Sequence, residues 1–407
     1  MNEFIKLAWR NIWRNKRRTL ITAASVFFAI LLALVMRSMQ KGSYGHMIDS
    51  FVQNYSGYIQ VHKQGYWEDQ TINNSFGYSE SLIQKVDSIE SISTAIPRLE
   101  SFALASTGGL SKGVMVVGTK PEKEKQLTNP QEKIVEGEMF RAGQKGALVA
   151  EGLAGYLNLE VGDTLVMISQ GYHGRSAAGL FPVSGIFHIP NPELNKRLVY
   201  TSLSASQEFF GAYGMLSSLV INLHHSDELK QAEQALKNKL NTEDYEVMNW
   251  KEISPELVQM IQSDQASGYI MLGILYLVIG FGVFGTIMMM TNERKKEFGV
   301  MIAVGMRKTK LAAITSLEML FIGLLGILSG IAGSLPIILY YVHNPIQLPG
   351  EMAAAMETYG IEPIMPFAWQ FDYFAGQSGI VLLIFFIAIL YPLYSITRIK
   401  AVSALRT

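Results

Sequence analysis

The segment 293–306, ERKKEFGVMIAVGM, is charged at its start and apolar at its end, and it lies between two long apolar blocks. Built as a helix, it presents one apolar stripe at positions i, i+3, i+4 and i+7, formed by Phe298, Met301, Ile302 and Gly305. Glu293 and Glu297 lie one turn apart, and two like charges at this spacing favour a basic partner. The pattern is typical of a helix on which a cytosolic protein docks. It fits an amphipathic connector in the lipid headgroup layer equally well.

The residues around this segment indicate an integral membrane protein. Hydrophobic residues make up 49% of the 407 residues, and they are concentrated in four blocks. A helix needs about 20 apolar residues to cross a bilayer. We therefore predict an α-helical membrane protein with four transmembrane helices at 19–37, 268–291, 311–342 and 378–397.

The distribution of Lys and Arg predicts the orientation of these helices. Basic residues cluster in segments 1–18, 292–310 and 398–407, whereas segment 343–377 contains none. By the positive-inside rule, both termini and the 292–310 segment are cytoplasmic, and 38–267 and the 343–377 connector are extracytoplasmic. The formal net charge of zero therefore hides a segregated distribution, and it does not indicate a nucleic-acid partner.

The first 18 residues predict an amphipathic helix on the cytoplasmic side, with basic side chains at steps of three and four. Trp9 and Trp13 lie on its apolar face, at headgroup depth. A cleaved signal peptide is the competing interpretation. The basic region is long, however, and no small-x-small site follows Met36, so we expect an uncleaved anchor.

Segment 38–267 predicts a large mixed α/β domain, because short runs with β-propensity alternate with helical stretches. The spans on either side continue outward at helical spacing, which predicts a pair of helical stalks. The chain has no cysteine, so the domain does not depend on disulfides.

The third predicted span carries glycines at steps of three, four and three along one face: Gly323, Gly326, Gly330 and Gly333. Small residues let another helix approach closely, so we interpret this face as a helix-packing surface. Glu318 is the one carboxylate inside an apolar block, which makes it a functional candidate. It lies roughly 10 Å along the helix from Leu311, within reach of the interface, so we favour a structural role.

A search for catalytic and metal-binding patterns predicts neither an enzyme nor a metal site. Segment 113–120, GVMVVGTK, has the Lys and Thr of a P-loop in reversed order. The adjacent His224 and His225 would point to opposite faces of a strand. The remaining histidines considered lack a carboxylate or cysteine at ligand spacing: His62, His173 and His188.

Four segments together resemble the FtsX-like ABC-transporter permeases, the group that includes MacB and the lipoprotein-releasing proteins LolC and LolE. They are Leu7–Thr22 (LAWRNIWRNKRRTLIT), Leu157–Leu165 (LNLEVGDTL), Glu293–Gly305 (ERKKEFGVMIAVG) and Ala401–Arg406 (AVSALR). The order of amphipathic helix, span, large domain and three further spans is also that of the family. Ala401 departs from the family's usual proline. MacB carries its ATPase domain on the same polypeptide, so this chain is more similar to the stand-alone LolC/LolE-like permeases.

The resemblance implies a MacB-like periplasmic core domain inserted between the first two membrane helices. It also implies a cytoplasmic ABC ATPase dimer that holds ATP and Mg while this chain binds no cofactor, and a second permease chain, identical or paralogous. The implied coupling residues are Glu293, Arg294, Glu297, Phe298, Gly299, Met301, Ile302, Ala303 and Gly305.

The function implied by the resemblance is mechanotransmission in the bacterial cytoplasmic (inner) membrane. The expected process is release of a lipoprotein from the membrane, with a periplasmic acceptor and membrane lipid as further partners. The alternatives are MacB-type export of an envelope or hydrophobic compound and an FtsX-like regulator or sensor without a transported substrate. A membrane-anchored binding protein without an ATPase is a further alternative, which explains the charged 293–306 segment poorly.

Overall fold

The computed structural model describes residues 2–14, 16–358 and 362–399. The chain divides into unit 1 (Met1–Tyr44, Met260–Gln347 and Ile364–Thr407) and unit 2 (Gly45–Gln259 and Leu348–Pro363). The helices in chain order are α1 (Asn2–Arg14), α2 (Lys16–Phe51), α3 (Glu80–Asp87), α4 (Pro121–Glu124), α5 (Glu151–Leu157), α6 (Pro192–Asn195), α7 (Leu203–Phe210), α8 (Leu229–Lys239), α9 (Trp250–Ile253), α10 (Pro255–Glu293), α11 (Lys295–Ala303), α12 (Lys308–His343), α13 (Glu351–Thr358) and α14 (Phe371–Thr397).

The strands are mostly in unit 2. In chain order they are β1 (Ile59–Lys63), β2 (Phe76–Gly77), β3 (Ile92–Thr107), β4 (Leu110–Thr119), β5 (Ile134–Gly137), β6 (Ala147–Ala150), β7 (Thr164–Gln170), β8 (Ser176–Phe187), β9 (Leu198–Ser202), β10 (Met215–Leu216), β11 (Ser218–Leu223), β12 (Tyr245–Asn249), β13 (Ile346–Gln347) and β14 (Ile364–Met365). Ten of them form one sheet in the order β12-β1-β11-β3-β4-β9-β6-β8-β5, with β7 paired to β3 and β8.

The sheet of unit 2 is mixed. Its β4–β9 and β6–β8 pairs are parallel, and the other pairs of the sheet are antiparallel. Strand β3 follows the period-two rule: Ala103 and Ala105 are buried, whereas the alternate residues Phe102 and Leu104 are exposed. The predicted mixed α/β domain is confirmed.

The four predicted membrane helices are confirmed. Four helices are long and apolar enough to cross a membrane, and they contain the four predicted spans: α2 with the π-helical turn Val52–Ser56 that follows it, α10, α12 and α14. Helices α2 and α10 continue well past the predicted spans, as the stalk prediction expects. Helix α14 begins at Phe371, several residues before the predicted span, inside the segment expected to be a connector.

Helix α12 lies against α1, α2 and α14 within unit 1. Trp9 of α1 meets Phe321 of α12 edge to face, with ring centroids 6.0 Å apart. Side chains of α2, α10, α12 and α14 form one apolar cluster that includes Ile30, Val283 and Phe385. The four long apolar helices therefore pack against one another, each through one apolar face.

Three of the four predicted packing glycines contact α2. A Cβ on Gly326 would lie 2.5 Å from Val26 Cβ, and one on Gly330 would lie 2.8 Å from Ile30 Cβ. A Cβ on Gly333 would lie 2.8 Å from the Phe27 ring. The fourth, Gly323, instead faces Phe385 of α14, at 3.0 Å. The four glycines share one sector of about 80° on the helix surface, as predicted, but Gly323 lies where α14, and not α2, packs against that sector.

Gly330→Val should destabilise unit 1, because the new side chain enters space that Ile30 and the Phe27 carbonyl oxygen already occupy. Overpacking of this kind costs about 1–3 kcal/mol. We expect a lower melting temperature of the detergent-solubilised protein. The matched control is Gly285→Val in α10, where an added Cβ meets nothing within 4 Å. Equal melting temperatures for the two variants would contradict the packing role.

Candidate functional site

The segment between α10 and α12 contains a short helix with defined ends. Helix α10 ends at Glu293, and Arg294 leaves helical geometry with φ −89° and ψ 4° before α11 begins. Helix α11 has nine residues, fewer than the predicted 292–310 segment. At its end, Gly305 has φ +103°, the Met306 N–H donates to the Met301 carbonyl at 2.9 Å, and the Gly305 N–H donates to the Ile302 carbonyl at 3.1 Å. This is a Schellman cap, in which glycine avoids the Cβ penalty of positive φ.

One face of α11 is anchored to the ends of α12 and α14. The Phe298 side chain is fully buried in a cluster with Leu311, Ala312, Ile396 and Ile399. Met301, Ile302 and Met306 pack against the same cluster, and Gly299 is buried. The predicted apolar stripe is confirmed except for Gly305, which is exposed and lies beyond the last helical residue, so it caps α11 instead of packing.

The acidic residues of the segment are paired within the chain. Glu293 forms an ion pair with Arg18 at the start of α2. Glu297 accepts hydrogen bonds from Arg14 of α1 at 2.6 Å and from Arg294 at 3.3 Å. The basic partner that the spacing of Glu293 and Glu297 favours is thus supplied by the chain's own N-terminal helices. Partial burial opposes ionisation of Glu297, but Arg14 and Arg294 hold the pKa of its carboxyl below the usual value.

Arg294 joins this network to the membrane helices. Its Nη1 donates to Glu318 Oε2 of α12 at 2.7 Å, and the Glu318 side chain is only 3% exposed. The structural role favoured for Glu318 agrees with this contact, since a buried carboxylate needs a charged partner. Ion pairs therefore connect α11 and the two residues before it to α1, α2 and α12.

The opposite face of α11 is open. Val300 is 48% exposed and Val304 is 85% exposed. Both line a shallow concavity of about 540 Å³, whose other walls are Met301, Gly305, Met306, Arg307 and Lys310. An apolar floor beside two basic side chains fits a partner surface that is apolar at its centre and acidic at its rim. The role of Val300 and Val304 was not predicted from the sequence, because the apolar stripe on the other face gave the stronger signal.

Exchanging the charges of Arg14 and Glu297 should test the link between α1 and α11. Glu297→Arg places two cations side by side and should loosen this contact, whereas Arg14→Glu combined with Glu297→Arg should restore it. Because both side chains are about half exposed, we expect a coupling energy of only about 0.5–1 kcal/mol. A double-mutant cycle on the melting temperature measures it. Additive effects of the two changes would contradict a direct pair.

The other candidates do not form a second site of this kind. Segment 113–120 lies mainly in strand β4, so it does not open a helix as a P-loop would. His62 is buried in β1 and His188 contacts Glu151 at 2.7 Å. Within residues 2–14, 16–358 and 362–399, no three His, Cys, Asp or Glu side chains are grouped to hold a metal ion. The motif Ala401–Arg406 and the end of the predicted 398–407 tail lie outside the described residues.

Two family comparisons cover most of the chain. Residues 19–239 match the family described as MacB-like periplasmic core domain, and residues 269–401 match FtsX-like permease C-terminal. The lipoprotein-releasing system transmembrane protein LolC of Xylella fastidiosa is 22% identical over 324 residues, which is 77% of this chain and 78% of that protein. The pyoverdine export ATP-binding/permease protein PvdT of Pseudomonas syringae is 24% identical, over 89% of this chain and 57% of that protein.

Two of the solved structures similar to this chain are of extracytoplasmic domains. The periplasmic region of MacB from Actinobacillus actinomycetemcomitans has 14% identity and a TM-score of 0.35, over 50% of this chain and 92% of that one. The extracellular domain of YknZ from Gram-positive bacteria has 16% identity and a TM-score of 0.34, over 47% of this chain and 99% of that one.

Proposed function

The chain belongs to the FtsX-like ABC-transporter permeases with a MacB-like periplasmic core domain, and we propose that it works by mechanotransmission, driven by a separate ATPase. The observation that carries the proposal is the open face of α11, whose Val304 is 85% exposed beside basic residues on a helix anchored on its other side. In this proposal an ABC ATPase dimer docks on that face. ATP and Mg bind to the ATPase, and this chain contributes no catalytic group.

The contacts of α11 support its role as a lever. Force applied at Val304 would be transmitted to α12 and α14 through the buried Phe298. It would be transmitted to α1 and α2 through Glu297 and Glu293. Close contact between α2 and α12 at Gly326 and Gly330 favours joint movement of these two helices. Helices α2 and α10 are continuous from residues of unit 1 into residues of unit 2, so they are the proposed path to the outer domain.

We propose a lipoprotein as the substrate, released from the bacterial inner membrane by a complex with two permease chains and received by a periplasmic acceptor. The support is the similarity to LolC proteins, of which the chain spans 78% of the length in Xylella fastidiosa. In the same proposal both termini are cytoplasmic, because the Lys and Arg residues cluster there.

Export of a compound is the second candidate, because export proteins are also among the relatives. MacB of Hyphomonas neptunium, a macrolide export ATP-binding/permease protein, is 22% identical over 81% of this chain, which corresponds to 52% of that protein. The lower coverage of these export proteins, compared with LolC, places this candidate second.

Reconstitution separates the two candidates. The permease and the ATPase that copurifies with it are placed in proteoliposomes with a triacylated lipoprotein and a soluble lipoprotein chaperone. We expect ATP-dependent transfer of the lipoprotein to the chaperone and none with a non-hydrolysable ATP analogue. ATP-dependent export of a hydrophobic dye without lipoprotein transfer would favour the export candidate instead.

A further inference from the structure

Unit 2 contains a small pocket of about 130 Å³. Its walls include Tyr66, Trp67, Glu100 and Phe102, and it reaches Tyr55 and Ile253. Tyr55 lies in the π-helical turn Val52–Ser56 that directly follows α2, and Ile253 is the last residue of α9, just before α10. Single π-helical turns are rare in proteins, and those that occur often lie at functional sites. The pocket therefore lies next to the end of α2 and the start of α10.

The pocket carries one carboxylate and no basic wall. Glu100 Oε1 accepts a hydrogen bond from the Tyr55 hydroxyl at 2.7 Å and a long one from Arg98 at 3.4 Å. Within the described part of the chain, no hydrogen bond reaches Glu100 Oε2, and no Lys or Arg lines the pocket. Arg98 is held mainly by Glu124, at 2.5 and 3.0 Å. Glu100 thus presents negative charge to the pocket with only weak compensation from Arg98.

His62, which also lines the pocket, does not place a positive charge there. Burial lowers the pKa of His62 to about 4, so its imidazole is neutral near pH 7. Its ring stacks on Tyr66, with centroids 4.6 Å apart, and it fills one side of the pocket. A positively charged ligand would therefore meet one carboxylate and no competing charge from this side chain.

Aromatic rings make up much of the remaining wall. The Tyr55 ring already has the Arg98 guanidinium over it, at 5.0 Å, and one face of Tyr66 is covered by His62. Trp67 meets His62 only in a tilted contact, with ring centroids 5.8 Å apart, and Phe102 is 57% exposed, so these two rings can face a ligand. Aromatic faces attract organic cations, and a nearby carboxylate adds a full charge to that attraction.

We propose that this pocket binds an alkylammonium or quaternary ammonium group, with the cation beside Glu100 and its methyl or methylene groups against Trp67 and Phe102. An amine-bearing lipid headgroup and a soluble amine share this chemistry. Because Tyr55 and Ile253 contribute to the wall, an occupied pocket would hold the two chain segments next to α2 and α10 together. The inference does not depend on the proposed transport function.

Calorimetry on the full-length protein tests the proposal. The protein is placed in nanodiscs of phosphatidylglycerol, which has no amine, and titrated with choline, ethanolamine and the neutral choline isostere dimethylbutanol. We expect the two amines to bind and the isostere to bind at least about tenfold more weakly, because it lacks the charge that Glu100 and the aromatic rings attract. A tenfold change corresponds to about 1.4 kcal/mol. Equal binding of the isostere, or no binding of either amine, would overturn the proposal.

Paired variants assign the binding to this pocket. Glu100→Gln and Phe102→Ala should each weaken choline binding at least about tenfold. Their matched controls, Glu136→Gln and Leu180→Ala, change exposed residues outside the pocket wall and should leave binding unchanged. Equal loss in a variant and its control would overturn the assignment.

Nanodiscs containing phosphatidylethanolamine decide the source of the amine. Competition between this lipid and choline supports a lipid headgroup as the ligand, and the absence of competition supports a soluble amine at the same site.

Discussion

Val304→Asp should weaken binding of the partner ATPase at least about 30-fold, because an interface hot spot contributes about 2 kcal/mol or more. The substitution places a carboxylate in the apolar wall of the concavity beside α11. The Val304 side chain is 85% exposed, so the fold of the permease itself should not change. The affinity of the detergent-solubilised permease for the ATPase, together with permease-stimulated ATP hydrolysis, measures the effect.

The matched control is Val135→Asp, which makes the same change at a residue of unit 2 that is 55% exposed. It should retain both ATPase affinity and stimulation. Equal loss in the two variants would mean that added negative charge acts non-specifically. Full retention in Val304→Asp would remove the open face of α11 from the docking surface.

Glu124→Leu should destabilise unit 2 by about 3–5 kcal/mol, because it removes the main partner of the buried Arg98 guanidinium. Only the contact with Glu100 at 3.4 Å and the hydrogen bond to the Tyr55 carbonyl at 2.8 Å then remain. Both side chains are fully buried, and Arg98 donates to the two Glu124 oxygens at 2.5 and 3.0 Å. Thr119 and Thr128 also donate to Glu124, at 2.8 and 2.7 Å. The rate of proteolysis of unit 2 and its melting temperature measure the loss.

The matched control for this prediction is the double variant Arg98→Met with Glu124→Leu. It removes both charges, and buried ion pairs replaced by apolar residues are often close to neutral in stability. We expect it to be more stable than Glu124→Leu alone. A double variant no more stable than the single one would show that the hydroxyl contacts of Glu124, and not the loss of the main partner of Arg98, dominate the effect.

The same pair gives unit 2 a pH dependence with a defined sign. Burial opposes ionisation of Glu124, but Arg98 and the hydroxyls of Thr128 and Thr119 lower the pKa of its carboxyl in the folded protein. The unfolded chain therefore binds a proton at a higher pH than the folded chain. The contribution of the pair is complete above the usual carboxyl pKa and is lost as the pH falls through the folded value.

The membrane helices could be predicted from the sequence because each contains a continuous apolar block long enough to cross a bilayer, which is a local signal. The stripe through Phe298, Met301 and Ile302 was predictable for the same reason, since helical periodicity needs only neighbouring residues. Prediction failed for Gly305, because the pattern does not indicate at which residue the helix ends. The positive φ at that position appears only in the structure.

Contacts between distant residues could not be predicted in this way. Arg14 and Glu297 are 283 residues apart, and Arg98 and Glu124 are joined only when β3 and α4 pack together. A sequence contains many Arg and Glu residues, and nothing local selects the pairs. The division of the glycines between α2 and α14 likewise depends on the packing of three helices.

Cross-linking from Val304 tests the docking of an ATPase on α11 most directly. The chain has no native cysteine, so Val304→Cys provides a single attachment point for a photoactivatable cross-linker. Docking on α11 predicts a permease–ATPase adduct from Val304→Cys, suppressed by excess unlabelled ATPase, and none from Val135→Cys. An adduct with lipid alone, and none with a nucleotide-hydrolysing subunit, would contradict the account and favour a connector in the headgroup layer.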